Sequence, residues 1–400
     1  MKKYIIIIII ALVVSSVISN IDDVNTKDVD MSSDTLAPSD TSELPEYPGP
    51  SEIEGNENGQ FTVYYDQLSD FEKKIYAVLE KTVSTAESAV TLSNVNIDNF
   101  KNSIERVSIA LHYDRPEYFW FKGGYSATWY GDGKNVNITL KPEYYQYVSS
   151  IFDDEGKMSE LRAAVKNVAS LARLHSDDDY ERIIFVHDYL VKNAIYDHDA
   201  LDEALRTSHS PSCEYIFSAY GCLVNAKTVC SGYSKAFQLI MRELGYDATY
   251  IVGDAGEPHG WNCIYLEGKG YFIDITWDDF DLENKEIPFY DYAFITNDML
   301  SRTHKIDMEF KAPLCTDVDY NYYVKNGYYI DKYDFNSAAA IISKQLKNDA
   351  AYIMFSSKSE LDKAVNDLCK SGKISQITGN SAGISYYYNE DFYTLTFILK

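Results

Sequence analysis

Apolar positions along this chain repeat at two different periods, and the change of period marks the stretch that organises the rest. Tyr233, Ala236, Phe237, Ile240, Met241 and Leu244 recur at three- and four-residue steps, which predicts an amphipathic helix. Gly245 follows the last of them, as a helix C-terminus prefers. Beyond it the period falls to two. Ala248 to Gly253, Gly260 to Leu266 and Tyr271 to Ile275 read as strands, and Glu267-Gly268-Lys269-Gly270 turns the last two into a hairpin. In a simple register Leu266 faces Tyr271 and Cys263 faces Asp274. His259, Cys263 and Asp274 then point to one face.

The flanking patterns extend this picture. Phe71, Ile75, Val78 and Leu79 predict a helix, and Phe100 to Leu111 predicts a second, broken by Asp114-Arg115-Pro116. Tyr118 to Phe121, Tyr125 to Tyr130 and Val136 to Leu140 read as strands, with turns at Gly123-Gly124 and Gly131-Asp132-Gly133. Met158 to Leu174 is a third helix, and Ser176 to Asp179 caps the start of a fourth. That fourth helix carries Tyr180, Ile183, Ile184, His187, Leu190 and Val191 on one face, so His187 reads as a satisfied core histidine. Phe289 to Thr296 finishes the catalytic strands. A small C-terminal unit begins at Asn321 to Tyr329. It continues as a helix (Asn336 to Leu346), a strand (Ala351 to Ser356), a helix (Ser359 to Lys370) and two strands (Gly383 to Tyr388, Tyr393 to Leu399).

The start of the chain is of another kind. Lys2 and Lys3 precede the apolar run Ile5 to Val14, which predicts a signal peptide over residues 1–19. The run is short for a membrane span, so membrane attachment is expected only if this segment stays uncleaved. Residues 20–60 have no apolar period and read as a disordered acidic linker. Three structured regions follow: an N-terminal accessory region at 61–155, a catalytic domain at 156–318 and the C-terminal α+β domain at 319–400.

Charge and composition narrow the function. Over 400 residues the formal charge is −25, which argues against a nucleic-acid backbone as partner and suits a secreted or extracellular protein, including one held at the cell surface. Tyrosine is abundant at 35, as expected of a wet surface, a carbohydrate contact or a compositional habit. Six cysteines lie at 213, 222, 230, 263, 315 and 369 with no C-x-x-C pair. Neither a structural metal site nor a cofactor is expected.

The candidate chemistry lies in the organising stretch. Cys230 falls at the start of the predicted helix, where free N–H groups and the helix dipole favour negative charge, a placement that suits a thiolate nucleophile. His259 and a carboxylate follow on the strands. The simple register puts His259 opposite Asp278 and leaves Asp274 four residues away along the ladder. Both carboxylates are therefore candidates to orient the imidazole. Asn225 is a candidate oxyanion donor five residues before Cys230, and Trp261 and Trp277 are candidate walls of a cleft.

The runs Thr228-Val229-Cys230-Ser231-Gly232-Tyr233, His259-Gly260-Trp261-Asn262 and Asp274-Ile275-Thr276-Trp277-Asp278 resemble the bacterial transglutaminase-like superfamily. The likeness extends over about Asp177 to Thr296 and includes His187-Asp188-Tyr189-Leu190 and Tyr220 to Asn225. It implies an α+β, papain-like core, in which a helix carrying the cysteine packs on an antiparallel sheet carrying the histidine and aspartate. It also implies that Cys230 is the nucleophile, His259 the base and Asp274 the orienting residue. Gly260 stands where alanine is commoner, with no expected effect on the chemistry. The function so implied is a secreted thiol enzyme that forms a thioester at amide or peptide bonds, as a peptidase, an amidase or a protein-glutamine transferase. Its partner would be a protein or peptide, such as a cell-wall peptide. The alternative is a non-catalytic module of the same fold that binds cell-wall or surface polymers.

Overall fold

The computed structural model describes residues 62–131, 133–145, 156–207, 214–280, 287–307, 309–379 and 384–399. The signal segment, the acidic linker and Cys213 lie outside them. Three antiparallel-rich sheets follow one another along the chain, each with helices packed against it, which makes the fold α+β. Among the described residues, no helix is long and apolar enough to cross a membrane.

The first region opens with helix α1 (Asp70–Ser84). Ser69 caps it, accepting from the Glu72 N–H, and the Glu72 carboxylate reaches back to the Ser69 N–H. Strand β1 (Val90–Asn96) and helix α2 (Ile97–Asp114) come next, then β2 (Phe121–Tyr130) and β3 (Asn135–Tyr144), in sheet order β1-β3-β2. Strand β1 has no counterpart in the sequence reading, because its burial is irregular and its register slips between Leu92 and Val95. Gly123-Gly124 forms an irregularity within β2 rather than a turn. Gly123 has φ 81° there, and a Cβ would stand 2.9 Å from the His112 ring.

Helix α3 (Gly156–His175) and helix α4 (Asp179–Asn193) lead into the central unit. Strands β4 (Ile195–Tyr196) and β5 (Lys227–Thr228) pair in parallel and bring the chain to helix α5 (Cys230–Leu244). Gly245 closes α5 in the left-handed region at φ 92°. Then come β6 (Ala248–Asp254), β7 (Pro258–Leu266), β8 (Lys269–Ile273), the one-turn helix α6 (Ile275–Asp278), β9 (Ala293–Ile295) and β10 (Lys305–Ile306), in sheet order β10-β6-β7-β8-β9.

The hairpin register differs from the expected one. Leu266 pairs with Lys269 and Cys263 with Phe272, so the turn holds two residues. Glu267 and Gly268 both have positive φ, 50° and 76°, as a type I′ turn requires. Strand β8 ends at Ile273, and Asp274 caps α6 instead of continuing the ladder.

The C-terminal region contains β11 (Tyr329–Ile330), helix α7 (Phe335–Gln345), β12 (Ala350–Phe355), helix α8 (Lys358–Ala364), β13 (Ser385–Asn389) and β14 (Thr394–Ile398), in sheet order β11-β12-β14-β13. Its inner face has its own apolar core around Ile342, Ile353, Leu361, Leu368, Leu395 and Phe397. The first region and the central unit share a single core.

Tyrosines line the seams. The Tyr64 hydroxyl donates to the Tyr250 carbonyl at 2.5 Å, Tyr113 meets Tyr250 edge-on, and Tyr290 stacks on Tyr322 at 3.6 Å. The Tyr323 hydroxyl donates to Asp291 and the Tyr352 hydroxyl to the Pro288 carbonyl. Much of the tyrosine content therefore serves burial between regions, a use not foreseen from composition.

Helix α5 starts in close quarters. A Cβ on Gly232 would collide with Thr228 Oγ1 and stand 2.8 Å from the carbonyls of Ile216 and Ser218. Gly232→Ala is expected to destabilise the protein by about 1–3 kcal/mol, read as a lower melting temperature. An unchanged melt would show that this approach is looser than the structure has it.

Candidate active site

Cys230 is the first residue of α5 and is partly exposed, while the helix behind it is buried from Gly232 to Met241. Two side chains fasten α5 to β7. Ser234 Oγ lies 2.9 Å from both the Cys230 and Gly260 carbonyls. Asn262 Nδ2 donates to the Ser234 carbonyl at 3.0 Å and to the Thr249 carbonyl at 3.2 Å. These clamps fix α5 against the strand that carries His259.

His259 Nε2 stands 2.7 Å from Asp274 Oδ2, and the Cys230 side chain is near enough to the ring to raise its pKa. With Nε2 engaged by the carboxylate, Nδ1 is the nitrogen left for sulfur. Burial alone would lower the His259 pKa, but the Asp274 carboxylate and the Cys230 charge outweigh it and push it up to about 10. For Asp274, burial acts to raise the pKa, yet the charge and hydrogen bond of His259, with a bond from His304, hold it well below the usual carboxylate range.

The structure thus brings Cys230, His259 and Asp274 together. Asp274 reaches His259 because β8 stops one residue before it, so the carboxylate swings out of the ladder to cap α6. Its Oδ1 accepts from the Thr276 and Trp277 N–H groups at 3.0 and 3.2 Å.

Asp278 is placed elsewhere. It is fully buried; its Oδ2 lies 3.2 Å from His187 Nε2, and its Oδ1 accepts from the Tyr292 N–H at 3.0 Å. Burial pushes Asp278 up to about 7, against the pull of His187. For His187, burial opposes the charged ring, but bonds to Asp188 and Asp278 prevail and raise it to about 9. Asp278 therefore binds α4 to the sheet and does more than serve the turn after the strand.

Other site residues fall in distinct places. Trp261 is fully buried and stacks under His259 with ring centroids 6.0 Å apart. It is core and not a cleft wall, because no face of it meets solvent. Trp277 is half-buried, 5.8 Å from the His259 ring, and has the exposure a wall requires. Asn225 is exposed, in the turn between the short helix Ala219–Leu223 and β5. Gly260 matters more than expected, since a Cβ there would lie 2.5 Å from the Tyr250 ring. Glycine at 260 admits that ring beside Cys230. Burial, then the Cys230 charge, raise the phenols of Tyr250 and Tyr196 well above their ordinary value, so both stay protonated near the sulfur.

Sequence reading missed His304. It is buried, and its Nε2 lies 3.1 Å from the same Asp274 Oδ2 that His259 engages. It arrives on the segment just before β10, which pairs with β6. That strand has two residues, too short for any periodic signal. His259, Asp274 and His304 bring three ligand-type atoms within 4.8 Å of one another. Both imidazoles contact Oδ2 directly, so hydrogen bonds fill the interval that a cation would need. The described cysteines Cys222, Cys230, Cys263, Cys315 and Cys369 are free thiols, and Cys263 and Cys315 lie 3.7 Å apart in the core.

The pKa directions set a pH window. His259 is raised on folding, so its contribution is full below its unfolded value of about 6.5 and is lost as pH rises through about 10. Asp274 is depressed, so its contribution is full above about 3.9 and is lost as pH falls through its lower folded value. The melting difference between wild type and Asp274→Asn is expected to be largest near about pH 5 and to shrink toward about pH 10. Asp278→Asn should lower the melting temperature through the His187 contact. A pH-independent Asp274→Asn difference would contradict the pairing.

Part of the chain is similar to known proteins. Residues 167–275 match the family model of the Transglutaminase-like superfamily. The mouse (Mus musculus) kyphoscoliosis peptidase is 26% identical over 147 residues, 34% of this chain and 20% of that protein. The human (Homo sapiens) kyphoscoliosis peptidase is 28% identical over 120 residues, 27% of this chain and 17% of that protein. The matches thus span about a fifth of the length of these curated relatives. A crystal structure of a TGase superposes with a TM-score of 0.29 at 15% identity, covering 42% of this chain and 47% of that one. Residues 167–275 of this chain thus match a transglutaminase-like domain, in which Cys230 heads α5, His259 lies on β7 and Asp274 caps α6 just past β8.

Proposed function

We propose that this protein is an exported thiol enzyme that opens amide or peptide bonds through Cys230, His259 and Asp274. The observation that carries the reading is the contact chain from the Cys230 thiol, through His259, to an ionised and buried Asp274. One of the relatives carries the name of a peptidase, which is a reaction of the class proposed.

In the proposed reaction His259 takes the proton of the Cys230 thiol, and the sulfur attacks the carbonyl carbon of an amide. Negative charge moves to the carbonyl oxygen, where N–H groups at the start of α5, which have no intrahelical acceptor, can receive it. Protonated His259 delivers its proton to the departing nitrogen. The C–N bond breaks, the amine leaves and a thioester remains on Cys230. His259, now neutral, takes a proton from water as it attacks the thioester, and the acid is released with the thiol restored. An amine in place of water completes transfer instead. Hydrolysis is the favoured outcome, since nothing in the sequence marks a second site for an acceptor amine. Asp274 holds the ring and stabilises its charged form throughout.

The substrate is proposed to be a protein or peptide met outside the cell, with cell-wall peptides as one class. The evidence for export is the pattern of residues 1–19, and N-terminal sequencing of secreted material should begin near residue 20. Intact Met1 on cytosolic protein would refute export.

Activity can be tested at the thiol before a substrate is known. Cys230 is expected to react with iodoacetamide near neutral pH and to lose that reactivity in His259→Ala. Against cell-wall peptides and glutamine-containing proteins, ammonia or amine release should be detected. Asp274→Asn should reduce turnover by up to about 10⁴, the loss that the comparable change causes in a serine protease, and Asp278→Asn far less. Cys230 labelling that is indifferent to His259 would refute the reading.

A further inference from the structure

We propose that His304 is a positioning residue for this site: its hydrogen bond to Asp274 limits how tightly the carboxylate holds the proton on His259. The proposal rests on the reading of Cys230, His259 and Asp274 as an active constellation.

The geometry fixes the protonation of His304. Asp274 is ionised and can only accept, so the His304 Nε2, 3.1 Å away, must carry hydrogen. The other ring nitrogen, Nδ1, lies 2.8 Å from Thr303 Oγ1. In a neutral ring that nitrogen is bare and accepts from the Thr303 hydroxyl. Thr303 Oγ1 in turn accepts from the Tyr292 hydroxyl at 3.4 Å. The chain of donors therefore runs from Tyr292 to Thr303, His304 and finally Asp274. A charged His304 would need the Thr303 hydroxyl to turn away, and it would set a second cation beside the imidazolium, with ring centroids 5.5 Å apart.

The carboxylate is shared out completely. Oδ1 takes the Thr276 and Trp277 N–H groups, and Oδ2 takes one donor from each imidazole. Without His304, one lone pair of a buried anion has no donor, and His259 becomes the only donor to that oxygen. The imidazolium is then held more tightly and is a weaker acid toward the leaving amine. The Asp274 position itself survives, because Oδ1 stays anchored to α6. The other ionisable groups around His259 and Cys230 are Tyr196, Tyr250 and, farther along α5, Lys235. Tyr292 packs on His304 itself, with Trp261 and Trp277 as the remaining walls. None of these donates to Oδ2.

The test compares His304→Phe, His304→Gln and Thr303→Val in the full chain, each checked by circular dichroism and thermal melting. The readouts are the pH profile of Cys230 alkylation and, once a substrate is known, kcat and KM. In His304→Phe the alkaline limb of the profile, where the imidazolium of the thiolate–imidazolium pair loses its proton, is expected to move up by about one pH unit. The limb moves up because a more firmly held imidazolium keeps its proton to higher pH. The fall in kcat should be roughly ten- to a hundredfold, the range seen when an outer hydrogen-bond partner is removed from a tuned site, with KM little changed. His304→Gln keeps an N–H for Oδ2 and should restore most of the wild-type profile. Thr303→Val leaves the His304 tautomer unfixed and should give a smaller shift in the same direction. A folded His304→Phe with the wild-type profile overturns the proposal, as does a Gln variant no better than Phe. If His304→Phe does not fold, an unshifted Thr303→Val overturns it. Alkylation of wild type that is indifferent to His259 is a separate result, and it overturns the parent reading and this one together.

Discussion

A single buried charge governs the central unit. Asp274 is 1% exposed, and an ionised carboxylate in that position would cost several kcal/mol without compensating donors. Four donors from three parts of the chain supply the compensation: two backbone N–H groups of α6, His259 on β7, and His304 just before β10. Each donor imposes a structural demand. Strand β8 must stop at Ile273 so that the carboxylate can leave the ladder. The sheet must gain a fifth strand so that His304 can arrive. The clamps from Ser234 and Asn262 then set α5 against β7, which brings Cys230 to the imidazole already fixed by Asp274.

The flanking regions brace this arrangement. Helix α2 of the first region reaches α5: His112 Nε2 lies 3.1 Å from Lys235 Nζ, and Gln238 Nε2 donates to the Tyr113 carbonyl. Burial pulls Lys235 down to about 7, against the opposing effect of Cys230, so this contact sits where a small change of surroundings changes its charge. On the far side, the Tyr290–Tyr322 stack and the Tyr323–Asp291 bond fasten the C-terminal sheet to the stretch from Ile287 to Tyr292, which also supplies the N–H that Asp278 accepts.

Much of this was legible in the sequence, and for physical reasons. The α5 stripe, its glycine stop and the β7–β8 alternation are local signals, and local energetics produced the elements they announce. The helices of the first and last regions follow from the same periodicity. The hairpin was misread by two residues because Glu267, a residue that seldom takes positive φ, does so here and makes the turn shorter than its glycines suggest. The choice between Asp274 and Asp278 could not come from register, since the ladder ends before either residue. It came from the resemblance of the run Asp274-Ile275-Thr276-Trp277 to the superfamily pattern, and in the structure that carboxylate caps a helix. Trp261 lies buried on β7 and Trp277 half-buried on the one-turn helix α6, and which of the two reaches solvent is a tertiary fact. His304 had no local signal at all, because its strand is two residues long and its partner lies thirty positions away.

The return segment separates two lengths that are easily equated. The stretch that matches the family ends at residue 275, one position past Asp274. The stretch that completes the hydrogen bonding of Asp274 runs on through β9 to His304 and is held by the pairing of Lys305 and Ile306 with β6. A fragment cut at the recognised boundary would keep Cys230, His259 and Asp274 and still leave the carboxylate without the donors from Thr276, Trp277 and His304. For this chain, the smallest piece that can be recognised is smaller than the smallest piece that is electrostatically whole.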